Sequence, residues 1–127
     1  MPFIFQRHYT RDQAEALLPD VRRWFSEIED LRHRLEAIDP GLAERAAAGE
    51  DLGGDAVNRS LKLQTRLQEL LDKFRALEIQ IKDLDRWLID FPAVIGGREV
   101  FLCWQRGEDA IEYWHDLRAG FAGRTPL

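Results

Sequence analysis

The sequence predicts an α+β fold: a long antiparallel helical hairpin, heptad-patterned, packed on a small C-terminal antiparallel sheet. Three observations predict it. Apolar residues recur at alternating spacings of 3 and 4 over two long stretches. The last third switches to runs rich in β-branched and aromatic residues. Two of those runs flank Gly96-Gly97, a two-residue hairpin signal.

The elements follow in chain order. Residues 3–9 alternate imperfectly and suit a short edge strand. Thr10 and Gln13 read as a capping box, each side chain satisfying a free backbone N–H of the other residue. A helix is expected over 10–38, with a break near Pro19, which lacks an N–H and biases Leu18 away from helical geometry. Its seam is Val21, Trp24, Ile28, Leu31, Leu35 and Ile38, ended by Asp39-Pro40-Gly41. Residues 39–54 form a connection that is long for a bundle and includes one candidate helical turn, LAERAAAG. A second helix is expected over 55–85, with Asp55 as N-cap and a seam of Leu63, Leu67, Leu70, Phe74, Leu77, Ile81 and Leu84. Phe25, Leu61 and Leu71 lie off the seams, either covering the sheet or forming an oligomer interface. Strands are expected over 87–116 as a three-stranded meander, with residues 117–127 as a tail. For 108–118 a helix stands as the alternative to a strand, given the leading acids and Gly120.

Composition bounds the function. The chain has 127 residues, 45% hydrophobic and 32% charged, as in one soluble domain. Its net charge of −5 argues against nucleic acid as a partner, because phosphate contacts need a basic surface. No run reaches the roughly 18 apolar residues of a membrane span. The start MPFIFQRHYTRDQ lacks the apolar core of a signal peptide. One Cys cannot form an internal disulfide, so a reducing cytoplasm is expected. Long heptad helices predict a homo-oligomer, a dimer, or a protein partner.

The candidate site residues all lie late in the chain: Asp90, Cys103, Glu108, Glu112, His115 and Arg124. Carboxylates, a thiol and an imidazole are the donor types a divalent metal uses. Register decides which of them meet. A Gly96-Gly97 turn pairs Ile95 with Arg98 and sets Asp90 opposite Cys103. A four-residue turn at 106–109 pairs Trp104 with Ile111 and Cys103 with Glu112. On that register one face carries Ile89, Phe91, Ala93, Val100, Leu102, Trp104, Ile111, Tyr113 and His115. The other lines up Asp90, Cys103 and Glu112 in a row. Cys103 and His115 then point to opposite faces and cannot share an ion, although a one-residue change in the second turn reverses this. If 108–118 is helical, Glu108, Glu112 and His115 share a face instead. The bland reading is a buried apolar Cys, a hydrogen-bonded His and core Trp residues. Arg124 can clamp a carboxylate, internal or bound. No phosphate loop, CxxC, HExxH or GxSxG is present, so no reaction is named.

Residues Lys82-Asp83-Leu84-Asp85, Asp90-Phe91-Pro92, Gly97-Arg98-Glu99-Val100, Leu102-Cys103-Trp104, Gly107-Glu108, Trp114-His115 and Gly120-Phe121 before Arg124 resemble a prokaryotic family known as domain of unknown function 2203. Ala14-x-x-Leu17-Leu18-Pro19 is similar too. The resemblance implies a small soluble prokaryotic protein with its signature in the sheet, and no activity. Trp87 departs from it, since the family pattern implies Gly there.

Two functions follow: a non-enzymatic oligomerising or protein-interaction module, and a metal-binding protein or metal-dependent enzyme using acids with Cys103 or His115.

Overall fold

The computed structural model describes residues 2–38 and 54–127. The described residues form two helices and a five-stranded antiparallel sheet. In order these are α1 (Arg11–Ile38), α2 (Asp55–Ala76), β1 (Gln80–Asp83), β2 (Leu88–Ile95), β3 (Arg98–Gln105), β4 (Tyr113–Asp116), a 3₁₀ turn (Phe121–Gly123) and β5 (Thr125–Pro126). The sheet order is sequential, β1-β2-β3-β4-β5, so every strand pairs with its neighbour in sequence. The candidate helical turn LAERAAAG, and all of the 39–54 connection except Gly54, lie outside the described residues.

The described residues divide into two compact units. One takes in the chain up to Arg22 and from Lys73 onward, and holds the sheet. The other comprises the described parts of Arg23–Asp72. In this second unit the helices run antiparallel, since Arg66 pairs with Glu27 through two guanidinium nitrogens while Arg59 and Lys62 share a recess with Ile38. Phe25, Ile28, Leu31 and Leu70 are its buried apolar residues. Phe25 is fully buried and Trp24 is not, so the buried stripe departs from the predicted seam.

The start of α1 confirms the capping box. Gln13 N–H donates to Thr10 Oγ1 at 3.1 Å, and Thr10 N–H donates to Gln13 Oε1 at 3.0 Å. The predicted break at Pro19 does not occur, and α1 runs through it as one helix. An internal Pro costs a helix about 3 kcal/mol. Burial of Ala14, Leu18 and Val21 on either side, all at 2% exposure or less, is the compensating term.

Helix α2 begins where expected but ends at Ala76, not 85. Glu78 takes φ 57°. Ile79 N–H donates to the Phe74 carbonyl and Glu78 N–H to that of Arg75, which is the Schellman pattern. Buried Ile79 and Phe74 supply its apolar contact. Because Glu rather than Gly holds the left-handed position, the sequence carried no stop signal. The 3-4 spacing of Leu77, Ile81 and Leu84 ran straight through the end. The residues beyond form β1, and the sheet gains a strand at each edge relative to the predicted three.

The central hairpin follows the predicted register. Asp90 pairs with Cys103, Ile89 with Trp104 and Ile95 with Arg98. Gly96 and Gly97 have φ of 60° and 77°, the left-handed pair a tight hairpin needs. The β3–β4 connection differs from expectation. It spans 106–112, and β4 pairs Cys103 with Tyr113 and Phe101 with His115, one residue off the predicted register. Residues 108–118 are therefore loop, strand and turn rather than a helix. Ile111 is fully buried and its N–H goes to the Glu15 carboxylate at 3.1 Å instead of into the sheet. Arg22 holds the Glu108 and Asp109 carbonyls, and Trp104 Nε1–H donates to the Glu108 carbonyl. The loop is tied to α1 and β3, which consumes the residues a shorter turn would have left to β4.

Candidate metal centre

The change of register moves His115 to the other face of the sheet. Direct partners share a face. Asp90 lies opposite Cys103, and Phe101, two residues from Cys103 on β3, lies opposite His115. Asp90, Cys103 and His115 therefore project from three adjacent strands to one side. The expectation that Cys103 and His115 face apart is overturned, for the reason the loop gives. Glu112 falls out of the row. It sits exposed before β4, and Tyr113 takes its expected place across from Cys103.

Asp90 and His115 lie on strands two spacings apart and diagonally across β3, since Cys103 is opposite Asp90 and Phe101 is opposite His115. His115 Nε2 lies 3.0 Å from each Asp90 oxygen. His115 Nδ1 donates to the carbonyl of Asp116 at 2.7 Å. The Asp90, Cys103 and His115 donor atoms all lie within 4.8 Å of one another. All three residues are 2% exposed or less. Burial alone would lower the His115 pKa. Hydrogen bonds to Asp90, Cys103 and the Asp116 carbonyl, together with the Asp90 charge, raise it to about 10.

Arg124 and Glu108 form the rim. Arg124 Nη1 donates to both Glu108 oxygens, at 2.8 and 3.1 Å. Its guanidinium lies 4.0 Å from the centre of the Tyr113 ring and 4.2 Å from that of Phe121. Burial would lower the Arg124 pKa, but Glu108 and the neighbouring Cys103 thiol raise it. Glu108 Oε1 accepts Gln105 N–H at 2.7 Å as well. Glu108 is thus a clamp for Arg124 and for the loop, and it is not among the converging donors. The clamp expected of Arg124 is present, and its carboxylate is internal.

The aromatic edge of the site is Phe101, 5.6 Å from His115 between ring centres. Phe5 packs on Phe101 at 5.4 Å. The segment carrying Phe5 is held by two carboxylates that sequence reasoning did not single out. Glu99 accepts the N–H groups of Ile4 and Phe5 and lies 2.7 Å from His8 Nε2. Glu78 accepts those of Gln6 and Arg7. Burial would raise the Glu99 pKa, but the bonds from His8, Phe5 and Ile4 hold it below the ordinary carboxylate range. No local signal marks such long-range acceptors in a sequence.

A family model described as "Uncharacterized conserved protein (DUF2203)" matches residues 7–127. No curated protein and no solved structure matches the chain.

Proposed function

The chain belongs to this uncharacterised family, and we propose that it binds one divalent transition metal, of which zinc is the model, through Asp90, Cys103 and His115. The observation that carries the reading is the division of labour on His115. Its Nδ1 is committed to a backbone carbonyl, which is the usual second-shell arrangement of a ligating imidazole. Its Nε2 is directed at a carboxylate and a thiol. A tetrahedral ion with bonds of about 2.0–2.3 Å needs donor separations of about 3.3–3.7 Å. Donor atoms already within 4.8 Å reach that by small side-chain rotations. The metal would take the place of the proton on Nε2 and the proton on the thiol, so affinity rises with pH.

Burial of all three donors supports a resident ion that cross-links β2, β3 and β4. A reducing, cytoplasmic location, which keeps a lone thiol available as a ligand, belongs to the same reading. The test is elemental analysis of protein purified without a chelator or a metal-affinity column, followed by titration with Co²⁺. One equivalent of metal, lost in Asp90→Ala, Cys103→Ala and His115→Ala, is expected. Folded protein that takes up no metal sinks the reading.

Self-association of the helical unit is a second reading. It is favoured by Leu61, 55% exposed on α2, and by an apolar recess lined by Arg34, Ala37, Ile38, Arg59, Lys62 and Leu63. Light scattering on wild type and Leu61→Glu tests it, with a shift from dimer to monomer expected. A wild-type protein that is monomeric at high concentration removes it.

A further inference from the structure

We propose that Arg124 is a positioning residue of the metal centre, donating an N–H to the Cys103 sulfur and so fastening the C-terminal segment to the thiolate ligand. The inference rests on the metal reading above and adds a residue outside the ligand set.

Geometry supports it from several directions. Arg124 follows the 3₁₀ turn and precedes β5, whose Thr125 and Pro126 pair with Trp114 and Tyr113. Leu127 N–H donates to the Glu112 carbonyl. The backbone on the C-terminal side of Arg124 is thereby anchored along β4. The side chain is then fixed from both sides. Tyr113 lies beneath the guanidinium at 4.0 Å, and Tyr113 is the direct cross-strand partner of Cys103. Glu108 holds one guanidinium nitrogen with both of its oxygens. The Arg124 side chain is 16% exposed, so its charge is little screened.

A guanidinium has five N–H donors in a rigid fork, and Glu108 engages one nitrogen. The remaining donors leave capacity for sulfur. An N–H···S bond from a cation favours the thiolate, the form that binds a metal, over the thiol and fixes the direction of its lone pairs. Outer-shell donors of this kind typically change metal affinity by about 10- to 100-fold. The arrangement also balances charge. Asp90 and a Cys103 thiolate neutralise a divalent ion, and Glu108 neutralises Arg124. Removing Arg124 leaves Glu108 without its cation beside the site.

The test uses Co²⁺, whose bond to thiolate gives a charge-transfer absorption that reports on the sulfur itself. Wild type, Arg124→Ala, Arg124→Lys, Glu108→Gln and the control Arg66→Ala, which belongs to the other unit, are titrated with Co²⁺ alone, with folding checked by circular dichroism. Arg124→Ala is expected to bind about 10- to 100-fold more weakly with a displaced charge-transfer band. Arg124→Lys should recover part of both, and Arg66→Ala should match wild type. If Arg124→Ala does not fold, the bands of Arg124→Lys and Glu108→Gln decide in its place: displacement supports the inference, and unmoved bands overturn it. Wild-type affinity and an unmoved band in folded Arg124→Ala overturn it while leaving the metal site intact. A wild-type protein without any thiolate band removes the site, and this inference with it.

Discussion

Trp87 offers the sharpest test of backbone energetics in this fold. It sits between β1 and β2 with φ 54°, a left-handed conformation that a bulky side chain adopts at a cost of about 1–2 kcal/mol. The turn enforces it. Trp87 N–H donates to the Leu84 carbonyl at 3.3 Å, and the Trp87 carbonyl accepts Arg106 N–H at 3.0 Å. The ring is half-buried beneath the Arg106 guanidinium, 4.9 Å from its centre. Trp87→Ala and Trp87→Gly both discard that packing, so their difference isolates the backbone. At an ordinary position Gly is about 0.5–1 kcal/mol less stable than Ala. Here the left-handed strain is larger and of opposite sign. Trp87→Gly should therefore be the more stable of the pair by about 0.5–1 kcal/mol, or about 2–4 °C in melting temperature. Urea denaturation of the two variants measures it. An alanine variant equal to or more stable than the glycine variant would refute the reasoning.

Other outcomes follow from the same contacts. In metal-free protein, the His115 pKa of about 10 exceeds its unfolded value near 6.5. Its contribution is complete below about pH 6.5 and is lost as pH rises through about 10, at no more than about 1.4 kcal/mol per pH unit. Urea midpoints of chelator-treated wild type should fall over that window relative to those of His115→Gln, and parallel curves contradict the assignment. Glu99→Gln should loosen Phe3–His8, because the carboxylate that gathers two backbone N–H groups and His8 loses its charge. Limited proteolysis should then cut that segment faster, and an unchanged rate would count against the role. In Gly123→Ala the new Cβ would lie 2.8 Å from Ala119 Cβ, so about 1–3 kcal/mol of stability should be lost. Adding Ala119→Gly should restore most of that, and a double mutant no better than the single one rejects the clash.

What could be read from the sequence depended on whether the signal was local. The hairpin at Gly96-Gly97 was legible because two adjacent glycines at positive φ admit few alternatives, and with it came the Asp90–Cys103 pairing. The family resemblance was legible too, and the Gly it implies at 87 corresponds to the left-handed backbone that Trp87 occupies. The end of α2 was not legible, because Glu78 holds the Schellman position that Gly usually marks. Nor was the β3–β4 register. It depends on Ile111 being drawn to Glu15 on α1, 96 residues away in sequence. Together with the Arg22 and Trp104 bonds to the same loop, that bond accompanies the register that brings Cys103 and His115 to one face. Asp90, Cys103 and His115 could each be singled out in the sequence, while their grouping, without Glu108 and Glu112, followed from tertiary contacts.

Cys103 has one more consequence. It is the chain's single thiol and is 1% exposed on the middle strand of the sheet. A thiol reagent in excess can reach it only when the structure opens around β3, so its reaction rate counts openings. No label or engineered residue is needed to follow them. Comparing that rate with and without metal converts site occupancy into the frequency with which the sheet parts, measured at one atom.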